Sequence, residues 1–342
     1  MRIYLPLLIA CSLLKTAAAQ DPNFSQFFVS PLTLNPALTG KFNGDFRIAG
    51  NYRDQWPAIS KAFITSTLSF DAPILRSRIS DLDTWGIGVM AMTDKTANGI
   101  LSTNMISITT AYHKGIDEDG LHQIGIGFQG TYNTKKLDGT KLNFEDELDQ
   151  FGGWTLPSGE PVDNREINLN YFDVAAGVLY NGSTDGYNNF YVGVSGYHLN
   201  KPRESFSDNI FYTLNPRITV HAGGAIPLAD KSRSIYMSAL LSRQAGASNI
   251  VLGGAAGFNA SGNPDDDNAT VFYIGAWTRF NNVNDALIPY IGMEFGGFRL
   301  GASYDVNISS LKTASQSRGG LEISLIYVKR PPGSKGIPCP HF

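Results

Sequence analysis

After its first nineteen residues, this chain has no apolar run long enough for a membrane-spanning helix, which needs about 20 residues. It has instead many short segments in which apolar and polar residues alternate. In one of them Leu321 and Ile323 alternate with Glu322 and Ser324. Successive side chains of a β-strand point to opposite faces, so each segment has one apolar and one polar face. A strand between lipid and a polar lumen needs this pattern.

Fourteen such segments can be delimited, and most are close to the length of a tilted transmembrane strand. An even number returns both chain ends to the same side of the membrane. Only a closed sheet pairs every backbone group within lipid. The predicted fold is therefore all-β, a transmembrane antiparallel up-and-down β-barrel of about 14 strands. The predicted strands are 44–54, 61–71, 85–93, 101–113, 122–134, 170–181, 188–198, 216–226, 233–243, 249–259, 270–280, 285–295, 297–306 and 318–328.

Alternation also predicts which residues face lipid. Ile126 and Ile323 lie on apolar faces and should contact lipid, whereas Glu322 should face the interior, where its substitution should be tolerated. A soluble or cell-surface β-domain would alternate in the same way. Heat-modifiable gel migration, which is a property of membrane barrels, separates the two.

The first nineteen residues read as a secretory signal peptide. Arg2 is the positive n-region, the stretch 5–14 is apolar, and small residues end at Ala19. A lipoprotein signal cleaved before Cys11 is the weaker alternative, because the apolar run before it is very short. An exported β-barrel belongs in the cell outer membrane.

The remaining chain divides into three parts. Residues 20–43 form a proline-rich, extended and non-helical lead-in, residues 44–328 form the barrel, and residues 329–342 form a basic tail. Both ends are expected in the periplasm. The one long connection, 135–169, follows five strands and is therefore expected outside the cell, with an acidic run suited to contacts.

No catalytic or cofactor motif is present in the sequence. The five histidines do not have metal-ligand spacing, and there is no nucleophile elbow. Removal of Arg2 and Lys15 takes the net charge from -3 to -5, which disfavours nucleic acid as a partner. Asp265–Asp267 suit a solvated turn better than a Ca²⁺ site. We expect a protein without enzymatic activity, cofactor or metal.

Two terminal motifs and several strand motifs carry a resemblance to a known family. The first runs from Gln20 to Phe27 (QDPNFSQF) and continues through Leu34–Ala37 (LNPA), and the second is Cys339–Phe342 (CPHF). Weaker matches include 172–178 and 192–199. The chain resembles the PorP/SprF family of the type IX secretion system of Bacteroidota over nearly its whole mature length. The family usually has Arg where this chain has His341.

The resemblance implies a non-enzymatic outer-membrane barrel that supports secretion and cell-surface localisation of proteins with sorting domains, or of gliding adhesins. It also implies docking to a periplasmic ring made of a lipoprotein and its partner. A diffusion porin or small-molecule transporter is the alternative function, and the mostly Gly, Ser, Tyr and Gln interior does not decide between them.

The two ends are the predicted partner contacts, because they carry the most specific residues of the resemblance. Aromatic and basic side chains there suit an interface. The alternative is a lead-in that plugs the barrel mouth and a tail that caps the last strand; Cys339 reads as an unpaired thiol. The predicted contact residues are Phe24, Phe27, Asn35, Pro36, Lys329, Arg330, Cys339 and Phe342.

Overall fold

The chain forms a closed barrel of fourteen antiparallel strands. The structure is a computed structural model that describes residues 21–57, 63–76, 78–206, 212–228, 232–260, 270–281, 285–310 and 312–330. Each strand pairs with its neighbours in sequence, and β1 pairs with β14 to close the barrel. The strands are β1 Phe46–Gln55, β2 Phe63–Ile74, β3 Thr84–Thr96, β4 Leu101–Gly115, β5 His122–Asp138, β6 Glu166–Gly182, β7 Asn189–Tyr197, β8 Arg217–Pro227, β9 Arg233–Gln244, β10 Ala247–Asn259, β11 Val271–Phe280, β12 Ala286–Phe295, β13 Phe298–Asn307 and β14 Arg318–Lys329.

The helices are short, and none of them is part of the barrel wall. The α-helices are α1 Pro31–Leu34 and α2 Lys312–Ser315, and the 3₁₀-helices are Phe27–Val29, Pro36–Leu38, Ala97–Gly99, Gly139–Lys141 and Glu145–Glu147. None of the helices in the described ranges has the length and apolar character that a membrane span requires.

The strand count and fold class predicted from alternation are confirmed. The largest difference in bounds is at the long connection, which is 139–165 and not 135–169, because β5 and β6 stay paired as far as Asp138 and Glu166. An ion pair of 2.6 Å between Lys136 and Glu166 joins this extension. The polar residues 135–138 and 166–169, which the sequence predicted to be loop, are thus strand residues beyond the apolar part of the wall.

The outer face of the wall is apolar and the inner face is mostly polar. Ile126 and Ile323 are 52% and 47% exposed on the outside, whereas Glu322 is buried inside the barrel. The outer face resembles a surface covered by lipid, and the closed sheet leaves no unpaired edge in it. The assigned direction of these side chains is therefore confirmed.

The barrel has two ends, which we name by what they carry. The terminal end is where β1 begins and β14 ends, and the loop end carries the connection 139–165. Several connections at the terminal end are short, such as 116–121, 183–188 and 296–297. The loop end carries the two longest, 139–165 and 198–216.

The lead-in lies inside the barrel along its length. Asp21 contacts Gln244 at the loop end, and the N–H of Asp45 donates to the carbonyl oxygen of Lys329 at the terminal end (2.6 Å). The predictions that the lead-in is extended and non-helical and that it lies in the periplasm are wrong, because its described residues fill the lumen and begin at the loop end. Pro31 and Pro36 occupy first positions of short helices, where the missing N–H costs nothing.

We expect Ile323→Arg to prevent stable insertion, because it places a charge on the outer face near the middle of β14. An Arg near the bilayer midplane costs about 2–4 kcal/mol. Heat-modifiable migration of membrane fractions measures the effect, and Ile323→Val is the matched control. Equal yields of folded barrel from the two variants would contradict the outward assignment.

Candidate functional site

A cluster of four charged side chains lies inside the barrel at its closing seam. Arg53 of β1 and Glu322 of β14 stand opposite each other in register and form an ion pair of 3.0 Å. Asp305 of β13 pairs with Arg53 at 2.9 Å and with Arg279 of β11 at 2.6 Å. All four are nearly inaccessible to solvent. Two cations facing two anions balance the charge that burial would otherwise penalise.

The lead-in completes this cluster. The backbone N–H groups of Ser25 and Gln26 donate to the two carboxylate oxygens of Glu322 at 2.8 and 2.9 Å. The hydroxyl of Ser25 donates to Asp305 at 2.9 Å and accepts from Arg279 at 3.1 Å. The side-chain amide of Gln26 donates to the Ser303 hydroxyl at 2.9 Å. The lead-in is thus held by charge-assisted hydrogen bonds, which are the stronger kind.

A second ionic anchor holds the start of the described lead-in at the loop end. The Asp21 carboxylate lies 2.8 Å from His198 Nε2 and 3.4 Å from Arg217 Nε. The other ring nitrogen of His198 lies 3.0 Å from Asp173. Burial lowers the pKa of His198, but hydrogen bonds with Asp173 and Asp21 raise it to about 9. At neutral pH the ring is therefore cationic and attracts Asp21.

A third anchor lies nearer the terminal end. Arg47 makes a bidentate pair with Asp71, at 2.9 and 2.8 Å. The same Arg47 donates to the carbonyl oxygen of Leu38 at 3.0 Å, and Asp71 accepts from the N–H of Gly40 at 2.7 Å. The pair thus satisfies both a carbonyl and an N–H of the lead-in as it leaves the lumen.

Glycines of the wall make room for the middle of the lead-in. A Cβ on Gly177 would lie 1.9 Å from Asn35 Oδ1, and one on Gly127 would lie 2.4 Å from the backbone nitrogen of Ala37. Asn35 fills this space and bonds to the wall: its side-chain amide donates to the Val178 carbonyl at 3.1 Å. Larger residues at 127 or 177 would exclude the lead-in.

Next to the charged cluster the lumen is packed with aromatic side chains; Trp277 and Arg279 lie on the same face of β11. Phe28 lies 4.8 Å from Trp277 and 5.7 Å from Tyr290, measured between ring centroids. Phe27 is buried in the same core. The indole N–H of Trp277 donates to Ser238 at 3.0 Å, so its polar group is satisfied. This part of the barrel interior is a hydrophobic core and not a water-filled channel.

Above the lead-in, the loop end opens into a cavity of about 530 Å³ with both polar and apolar lining residues. Its floor is formed by Asp21, Pro22 and Asn23, and its wall includes Lys135 and Glu204, which form an ion pair.

The structure separates the predicted contact residues into three groups. Phe24, Phe27, Asn35 and Pro36 are buried in the lumen, so the prediction that they form an accessible partner surface is wrong. Their backbone and side chains pack against the wall instead. The alternative prediction from the sequence was that the lead-in plugs the barrel mouth.

The basic residues at the end of β14 are accessible. Lys329 is exposed at the terminal end. Arg330 is half-buried there and pairs with Glu294 at 2.7 Å. Cys339 and Phe342 lie outside the described residues, as do the predicted signal peptide 1–19 and Asp265–Asp267.

The charged cluster was not identified from the sequence as a site. Arg53, Arg279, Asp305 and Glu322 each stand at inward positions of alternating strands, which was a usable signal. A charge at such a position needs a partner, and four of them with balanced signs indicate a network. The expectation that Glu322 tolerates substitution treated it as a solvated lumen residue, whereas it binds the lead-in.

The fold and the filled lumen define a class: a transmembrane-type β-barrel that is closed by its own N-terminal segment. A family model described as type IX secretion system membrane protein PorP/SprF matches residues 16–327. The chain belongs to this family. The resemblance seen in the sequence is thereby confirmed, and it extends over the lead-in and the whole barrel.

Solved barrels from other systems show limited similarity. CdiB from Acinetobacter baumannii has a TM-score of 0.43 at 7% identity, covering 84% of this chain and 60% of CdiB. A Pseudomonas aeruginosa FadL homologue has 0.42 at 11%, covering 86% and 92%. The CymD monoaromatic hydrocarbon channel has 0.47 at 9%, covering 89% and 93%. The search among curated proteins finds no match.

We expect Glu322→Gln to loosen the lead-in without preventing barrel insertion. A Gln amide group would turn a donor toward Arg53 or toward one of the two lead-in N–H groups, and it would leave Arg53 with one anion fewer. Breaking a buried pair costs about 3–5 kcal/mol. Planar-bilayer recordings should show openings that the unmodified protein lacks.

Glu166→Gln is the matched control for this experiment, because Glu166 pairs with Lys136 at an exposed strand end. It should conduct like the unmodified protein. Silent Glu322→Gln bilayers, with heat-modifiable migration intact, would show that the cluster does not hold the lead-in in place.

Proposed function

We propose that this protein is a non-enzymatic outer-membrane barrel of the type IX secretion system that supports secretion and cell-surface localisation of sorting-domain proteins or gliding adhesins. The observation that carries the proposal is the family match over residues 16–327. The apolar outer face supports its place in a membrane. In this function the barrel is a fixed platform between the two sides of the membrane.

The filled lumen weighs against the porin or transporter alternative. The lead-in occupies the barrel through three ionic anchors and an aromatic core. A diffusion channel needs a continuous aqueous path, which large barrels leave open. Partners of a platform must instead bind its two ends.

We assign the terminal end to the periplasm and the loop end to the cell exterior. Barrels of this kind have short periplasmic turns and longer external loops, and the two longest connections here, 139–165 and 198–216, are both at the loop end. In this orientation Lys329 and Arg330 face the periplasmic ring. The connection 139–165 faces the medium.

An epitope tag inserted after Gly159 should be reached by antibody on intact cells, because this residue is exposed in the connection 139–165. A tag in the short connection 183–188, at the opposite end, is the control and should require permeabilisation. Flow cytometry measures both. The reverse labelling pattern would overturn the orientation.

Deletion of residues 331–342 tests the function at the periplasmic end. We expect a heat-modifiable barrel with severalfold lower secretion of sorting-domain proteins, and loss of the ring lipoprotein from affinity purifications. A tail of equal length made of Gly and Ser separates loss of sequence from loss of length. A truncated chain that fails to assemble would assign the tail to folding and remove the docking proposal.

A further inference from the structure

The connection 139–165 at the loop end is an ordered structure with its own hydrogen bonds. At its base the N–H of Gly139 donates to the Arg165 carbonyl at 2.8 Å. Further out, Leu148 and Trp154 form a β-bridge around a tight turn. A connection of this length with such internal bonding is more typical of a functional loop than of a linker.

Two carboxylates fix the shape of the turn. Asp149 accepts from the N–H groups of Phe151 and Gly153, both at 2.8 Å, and from the Thr155 hydroxyl at 2.6 Å. These bonds lower the pKa of Asp149, so it stays ionised at neutral pH. Asp146 fixes the next segment by accepting from the N–H of Gly159 at 2.7 Å. The backbone of the turn is therefore held in one arrangement, which reduces the entropy cost of binding.

The side chains that this turn presents are large, apolar and exposed. Phe151 is 87% exposed and Trp154 is 51% exposed, with Leu148 and Leu156 close to half exposed. We call these four residues the apolar patch. A grouped set of this kind, on a part of the chain that lies beyond the strands, marks an interaction surface. Trp and other aromatic residues are enriched at interface cores.

The negative charge near the apolar patch indicates which kind of partner can bind there. Between Leu142 and Asp163 the sequence has six carboxylates and no Lys or Arg. Two copies of this surface would bring like charges together, and lipid phosphate would be repelled in the same way. A protein surface with basic residues around an apolar centre is complementary in both respects.

We propose that the apolar patch with its acidic border is the docking site for a basic, apolar-centred surface of a secreted protein that this barrel holds at the cell exterior. This inference rests on the proposed function and adds to it the contact residues and the chemistry of the partner. The lumen takes no part in the contact.

The test places the photocrosslinker p-benzoylphenylalanine at Gln150, which is exposed next to Phe151. Irradiation of intact cells should give an adduct with a secreted protein, joined through a peptide near Lys or Arg. An adduct with lipopolysaccharide, with a second copy of this chain or with a resident barrel overturns the proposal, and so does the absence of any adduct.

Variants in the crosslinking background measure the contribution of the apolar patch. Phe151→Ser with Trp154→Ser should lower the adduct and the retained secreted protein about tenfold or more, as loss of interface anchors does. Tyr212→Ser, which removes another exposed aromatic from the loop end, is the matched control and should change neither. Equal loss in both variants, or in neither, overturns the proposal.

Replacing acidic residues near the apolar patch tests whether the partner surface is basic. Glu145→Gln with Glu160→Gln removes two exposed charges while the bonds to Asp146 and Asp149 remain. The adduct should fall severalfold and become less sensitive to salt. An unchanged yield and salt dependence overturns the assigned partner chemistry.

The failure of this inference is distinguishable from the failure of the proposed function. If deletion of the whole chain releases secreted proteins into the medium but the patch variants do not, the docking site is elsewhere and the function stands. If deletion of the whole chain changes neither secretion nor retention, the proposed function fails and the docking site fails with it.

Discussion

The ion pair between Arg53 and Glu322 is the interaction on which the rest of this barrel depends. It spans the seam where the first and last strands meet, and its carboxylate also binds two N–H groups of the lead-in. Since a buried charge without a partner is costly, closure of the barrel and seating of the lead-in stabilise each other. Asp305 and Arg279 extend this coupling along the adjoining strands.

The residue types of the inner wall differ from place to place and match the part of the lead-in that they contact. Charged groups face its Ser25 and Gln26 backbone, glycines face Asn35, and aromatic rings face Phe28. The segment buries little regular structure of its own, so its conformation is determined by the wall. The N-terminal motif thus reads as a luminal binding sequence, in which Ser25 and Gln26 bond to the wall and Phe27 is buried in the core.

Alternation was sufficient to predict the wall, because lipid on one face imposes a period of two on every strand. Ile323 and Glu322 were assigned to the correct faces for that reason. The occupant of the lumen could not be predicted, because the motif around Phe27 is compatible with a partner interface or a plug: both bury aromatic residues. Trp277 and Tyr290 were inward aromatics on strands whose interior was expected to be polar, and their position depends on the lead-in that covers them.

A filled lumen restricts where this protein can act. Displacing the lead-in would expose the aromatic core and leave the Arg53 cluster without its hydrogen-bond donors, so a resting barrel favours the closed state. Partners must therefore bind at the rims, where the connection 139–165 and the end of β14 are accessible. The loop end offers an apolar turn whose backbone is held by hydrogen bonds, and the terminal end offers the exposed Lys329.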